Sequence, residues 1–137
     1  MPDTFTILDE SRATDVPATT DGDRMLLAPN DVERAFGWAL KPEGFCRGDV
    51  CIPIREGSRA VSGDRVDLAG FADLLKRPLA IDLKDRAAAM GASAHDRGAA
   101  LASLEAPTFN LPDLDGRMHA LAAHRGTKVF LAVWASW

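Results

Sequence analysis

No stretch of this chain approaches the ~20 consecutive apolar residues that a bilayer-spanning helix requires. The longest apolar run covers only residues 129–135. A basic leader and an apolar signal core are also missing: the chain opens Met1-Pro2-Asp3-Thr4. No secretory signal is therefore expected, and the expected compartment is the cytoplasm. Clustered charge of one sign is scarce. The 16 Lys and Arg are scattered among 20 Asp and Glu, for a formal net charge of -4. That argues against nucleic acid, whose phosphates select grouped cations.

Histidine and cysteine are few. His95, His119 and His124 stand apart from one another and from any acidic triad pattern, so each is read as a surface or turn residue. Zinc would need four ligands, and no Cys or His pair lies near Cys46 and Cys51 to complete a set. Neither a metal nor a cofactor is expected. No internal repeat is visible.

What remains is ordinary globular composition, 47% hydrophobic and 26% charged, over a length that suits one domain or a small domain plus part of another. Residues 1–24 are rich in Thr, Asp, Ser and Pro. Their one short apolar cluster is Phe5-Thr6-Ile7-Leu8, and Asp15, Asp21 and Asp23 add charge, so they read as a flexible, solvated arm. Met25-Leu26-Leu27 suggests a short strand. A helix then starts near Pro29, with Asn30 as N-cap and Glu33 as capping-box partner. Gly37 ends it.

Phe45 to Ile54 flanks Gly48-Asp49 with apolar residues, a hairpin pattern. A second helix follows Asp67, with Leu68, Phe71, Ala72 and Leu75 on one face. Arg77-Pro78 stops it, and Leu79-Ala80-Ile81 is a candidate strand. The Ala-rich residues 86–104 include a short helix near 95–104. Phe109-Asn110-Leu111 and Met118-His119-Ala120-Leu121 flank a turn and predict a second hairpin. Residues 128–134, apolar on both faces, predict a strand covered on both sides of a sheet.

The last thirty residues carry a resemblance. Ala106-Pro107-Thr108-Phe109-Asn110-Leu111-Pro112-Asp113-Leu114-Asp115-Gly116, then Leu121, Arg125-Gly126-Thr127-Lys128-Val129 and Trp134-Ala135-Ser136-Trp137 resemble the redoxin branch of the thioredoxin-like superfamily. That branch includes the alkyl hydroperoxide reductase/thiol-specific antioxidant proteins and the disulfide reductases of cytochrome maturation. The match covers about a quarter of the chain, and residues 31–53 resemble an extension that precedes some bacterial redoxin domains.

The chain is thus expected to be α/β: an arm at 1–24 and a small N-terminal α+β region at 25–104, both read from the residues, and, as the resemblance implies, the first strands of an incomplete thioredoxin-like fold at 105–137. The resemblance also implies that Trp134, Ala135, Ser136 and Trp137 end the central strand beside the active site, with the nucleophilic cysteine or selenocysteine next after Trp137. A thiol at such a strand-to-helix junction sits where free N–H groups favour the thiolate. No catalytic residue of the family is then present in these 137 residues, and the chain is expected to be inactive by that mechanism. Two origins of the break stay open: an ordinary truncation, or a UGA codon that means selenocysteine. The intact parent would be a thiol- or selenol-dependent oxidoreductase of antioxidant, redox-homeostatic type. It would act on a protein disulfide, its thiol partner, or a peroxide.

Cys46 and Cys51 admit two readings. They are either an auxiliary redox pair facing one another across the turn, or two small hydrophobes packed beside Phe45 and Ile52. The rival to an enzyme is a non-enzymatic binding or regulatory module formed by residues 25–104, which would then fold alone.

Overall fold

Alternation within residues 3–21 builds two long strands where the composition suggests a solvated arm. In β1 (Asp3–Asp9) Phe5 and Ile7 point inward, and in β2 (Arg12–Asp21) Val16 and Ala18 do. The intervening Thr and Asp residues face outward. A two-residue period with a polar outer face is a half-buried strand, and its polar half gives the segment its arm-like composition. The expected flexible arm at 1–24 is thus corrected: it forms the middle of a sheet.

The computed structural model describes residues 2–10 and 12–135. The chain forms two compact units, Met1–Ala99 and Ala100–Trp137. Among the described residues the architecture is mixed α/β, with three α-helices and several sheets.

The first unit is built on a seven-stranded sheet. Besides β1 and β2 it contains β3 (Arg24–Leu27), β7 (Val61–Ser62), β8 (Arg65–Asp67), β9 (Leu79–Asp82) and β10 (Ala87–Met90), in the order β7-β8-β3-β2-β1-β10-β9. Every pairing is antiparallel except β1 with β10, which run parallel with Thr6 opposite Ala87. One face carries Phe5, Ile7, Val16, Met25, Leu27, Val66, Ala88 and Met90, all buried. Helices α1 (Pro29–Phe36) and α2 (Leu68–Leu75) contribute Val32, Phe36, Leu68 and Phe71 to the same core. A three-stranded sheet, β4 (Ala39–Lys41), β5 (Gly44–Arg47) and β6 (Val50–Ile52), adds Phe45. Phe71 is the hub, with ring centroids 5.5 Å from Phe36 and 4.8 Å from Phe45.

The helix ends follow local chemistry. The N-cap of α1 lies two residues before the Asn30 cap expected from sequence. Ala28 is the N-cap and Pro29 takes the first turn, because its fixed φ and missing N–H suit that place. Gly37 closes the helix at φ 74°, donating its N–H to Glu33 O. α2 starts on Asp67, whose Oδ1 accepts from the N–H groups of Ala69 and Gly70. Its Oδ2 accepts from Arg24 Nε at 2.8 Å, tying the helix start to β3.

Asp67 is fully buried, so its loss should be felt. Asp67→Ala is expected to lose at least the about 1–2 kcal/mol of a helix cap, read as a lower urea midpoint. Asp67→Asn, which keeps an acceptor for the cap, should lose clearly less. Equal losses would show that the Arg24 pair, not the cap, dominates.

Residues 87–90 form a strand not expected from sequence. An Ala-rich run favours helix on propensity alone, yet it lies between β1 and β9 and forms β10. Helix α3 (Ala94–Ala102) follows. Its start is set by Ser93: Asp96 N–H donates to Ser93 Oγ, and the Ser93 hydroxyl donates to Asp96 Oδ2. This is a capping box whose Ser-x-x-Asp signature is present in the sequence.

In the second unit, β11 (Asn110–Pro112) pairs with β12 (Met118–Ala120) as the expected hairpin, and a 3-10 turn, Leu121–His124, follows. The strand expected at 128–134 is not formed; residues 128–135 take no regular structure. A strand apolar on both faces needs neighbours for its backbone and cover for its sides, and no described strand pairs with it. Phe130, Val133 and Trp134 are 94%, 90% and 81% exposed.

Candidate functional site

The cysteines are placed by a short hairpin. Gly48, at φ 59°, supplies the left-handed residue of the Gly48-Asp49 turn between β5 and β6. The resulting register sets Cys46 directly opposite Cys51, with Arg47 opposite Val50 and Phe45 opposite Ile52. The Cα atoms of Cys46 and Cys51 are 4.0 Å apart, the short separation of an opposed pair that exchanges no backbone hydrogen bonds, and the two are joined as a disulfide.

Directly opposed residues share a face, and successive residues alternate. Phe45 and Ile52 therefore lie on one side of the hairpin and the two sulfurs on the other. The reading of the cysteines as hydrophobes packed beside Phe45 and Ile52 is corrected by this register. Phe45 belongs to the central hydrophobic cluster, which includes neither cysteine. Cys46 is nonetheless only 3% exposed, whereas Cys51 is open to solvent.

The disulfide closes a ring across a sequence separation of only 5 residues. Loop-closure entropy for so small a ring amounts to about 2 kcal/mol, similar to burying one large apolar side chain such as Phe45. The turn and the Phe45 anchor already hold this register, so stability is a weak reason for the bond.

The opposite face of the hairpin from the sulfurs, which carries Arg47 and Val50 beside Phe45 and Ile52, is cationic and aromatic. Arg47 lies over the Trp38 ring with its guanidinium carbon 4.7 Å from the centroid, and Trp38 itself is buried. Arg47, Val50 and Ile52 line a cleft of about 470 Å³ together with Arg77, His95 and Asp96. Arg77 is fully engaged there. It pairs with Asp9 and donates to the carbonyls of Gly91 and Met90. Asp96 is held by Ser93, a bond that lowers its pKa. These partnerships are structural, and they leave no base poised beside a nucleophile.

Among the described residues, no three His, Cys, Asp or Glu side chains are grouped to hold a metal ion. His95 belongs to the first unit, and His119 and His124 to the second. His119 donates from Nε2 to Asp113 Oδ2 at 2.8 Å, while Asp113 Oδ1 accepts from the N–H groups of Asp115 and Arg117. This knot pins the turn of the β11–β12 hairpin. The His119 bond, more than the backbone ones, lowers the Asp113 pKa below its ordinary 3.8. A depressed folded pKa means that the stabilisation is present above the unfolded value and is lost as pH falls through the folded one. An NMR titration of Asp113 should therefore show a midpoint below 3.8, and His119→Ala should move it upward. An unmoved midpoint would contradict the assigned cause.

Of the residues that the redoxin resemblance sets beside the active site, Trp134 and Ala135 are exposed and outside any strand. Ser136 and Trp137 lie outside the described residues. Comparison with protein-family profiles, with curated proteins and with solved structures finds no match for this chain.

Proposed function

We propose that residues 105–137 are the opening part of a thioredoxin-like, redoxin-type domain, and that the parent protein is a thiol- or selenol-dependent oxidoreductase. One observation carries this reading. The motif residues at 110–112 pair with 118–120 in a hairpin, and the apolar segment after it, 128–135, stands exposed with no strand partner among the described residues. That is the condition of a central strand lacking the rest of its sheet. The nucleophile would be a cysteine or selenocysteine placed next after Trp137. There, a thiolate or selenolate would attack a disulfide sulfur of a partner protein or a peroxide oxygen. The Trp-Ala-Ser-Trp run favours disulfide reduction over peroxide reduction.

The test is the reading frame beyond codon 137. A Cys codon or TGA, followed in frame by further thioredoxin-like sequence, is the expected result. The extended protein should then reduce insulin or hydrogen peroxide, and replacing the nucleophile by Ser should abolish turnover. A different stop codon with unrelated sequence beyond it would overturn the proposal.

The rival, a non-enzymatic binding module, draws on a different observation: the first unit has a core of its own. Its boundaries move, however, from 25–104 to Met1–Ala99, since β1 and β2 lie inside the sheet. This reading expects the first unit to bind a partner equally well when both cysteines are replaced by Ser. The enzyme-linked reading expects those substitutions to alter the activity of the extended protein.

A further inference from the structure

We infer that the Cys46–Cys51 disulfide is a thiol–disulfide exchange site, opened by attack of an external dithiol on the sulfur of Cys51. The inference rests on the first unit alone and stands whether or not the redoxin reading holds.

Three features converge on it. The two residues differ in access, Cys46 being 3% exposed and Cys51 exposed, so the side of the bond open to an incoming thiolate is that of Cys51. The bond lies on the face of the hairpin away from Phe45 and Ile52, so breaking it leaves the core contacts of β5 in place. The register does not depend on the bond either. β5 stays paired with β4 on its other side, and the Gly48 turn joins it to β6. After reduction the two thiols therefore remain opposite one another, in position to close again. A pair open on one side and held in register by the backbone meets the access and geometry that exchange demands.

The chemistry balances with a dithiol, small or protein-borne, as reductant. Its thiolate attacks Cys51 Sγ, and the bond to Cys46 breaks. The electron pair leaves on Cys46 Sγ, which takes up a proton, and a mixed disulfide joins Cys51 to the reductant. The reductant's second thiol attacks its own sulfur in that mixed disulfide, releasing Cys51 as a thiol. The protein gains two electrons and two protons, and the reductant becomes a disulfide. Oxidation is the reverse sequence.

The experiment uses the 137-residue chain and dithiothreitol. The protein is equilibrated in graded mixtures of reduced and oxidised dithiothreitol, quenched, alkylated and weighed intact, with circular dichroism recorded on parallel samples. Two thiols should become labelled together in one reversible step while the dichroism of the folded state persists. Labelling that accompanies loss of that signal would overturn the inference and make the bond a staple.

Direction is tested with glutathione disulfide. Cys51 in a Cys46→Ser variant should form the mixed disulfide at least about tenfold faster than Cys46 in a Cys51→Ser variant. Equal or reversed rates would overturn the assignment of Cys51 as the point of attack. Should either variant fail to fold, the wild-type chain answers the same question. A brief reaction with limiting glutathione, acid quench and peptide mapping should place the adduct on Cys51, and an adduct on Cys46 would overturn it.

Discussion

A chain lacking residues 1–24 is expected to be unfolded, with no cooperative transition in urea and the dichroism of a disordered coil. β1 and β2 stand between β3 and β10, so their removal divides the sheet into β7-β8-β3 and β10-β9 with nothing between them. It also strips Phe5, Ile7, Val16 and Ala18 from the core, each at most 1% exposed. Full burial of each large apolar side chain is worth about 1.5–3 kcal/mol. Three such residues with their backbone ladder therefore approach the whole stability of a typical domain, about 5–15 kcal/mol. The complementary fragment 1–99 should melt in one transition. A cooperative, folded 25–104 would show that β1 and β2 are dispensable to the sheet, against their central place in it.

Gly44→Ala should be the most damaging single substitution near the disulfide. Gly44 has φ 131°, and a Cβ there would collide with Ile52 O and lie 2.9 Å from Pro53 Cα. Both obstacles are backbone, so no side chain can swing aside and the strands must part. Phe45, the next residue, is locked in the core and resists that movement. A loss of at least about 2–4 kcal/mol is expected, read as a shifted urea midpoint. Slower re-formation of the Cys46–Cys51 bond after reduction should accompany it. Gly48→Ala is the control: its φ is 59°, but nothing lies within 4 Å of the added Cβ. Only the about 1–2 kcal/mol of left-handed backbone strain should appear. A Gly44→Ala variant no worse than Gly48→Ala would refute the close approach of β5 to β6.

Features that depend on neighbouring residues were legible in the sequence. Asp67 with its following apolar face, Gly37 at a helix end, the Gly48-Asp49 turn and the hairpin at 109–121 all appear where local chemistry puts them. What escaped depends on partners distant in the chain. The Thr and Asp of β1 and β2 look solvated because they are, on one face; the buried alternation of Phe5, Ile7, Val16 and Ala18 was the available signal. Residues 87–90 are helix formers by propensity and a strand by position. The segment 128–134 shows the opposite failure: its pattern is right for a buried strand, but a pattern supplies no partner. For the cysteines, spacing and turn put the two residues across from one another. Only the register distinguished a bonded pair on the far face of the hairpin from two hydrophobes packed beside Phe45 and Ile52.

The parallel match of β1 to β10 has a consequence for synthesis on the ribosome. Residue 6 must wait for residue 87 before its second ladder can form. The antiparallel strands β2, β3 and β8 can assemble earlier, but one flank of β1 stays open until nearly the whole first unit has emerged. Non-local pairing of this kind slows folding and leaves a sticky edge exposed meanwhile. The nascent protein is therefore most vulnerable to misassociation late, in the interval before β10 emerges to cover that flank.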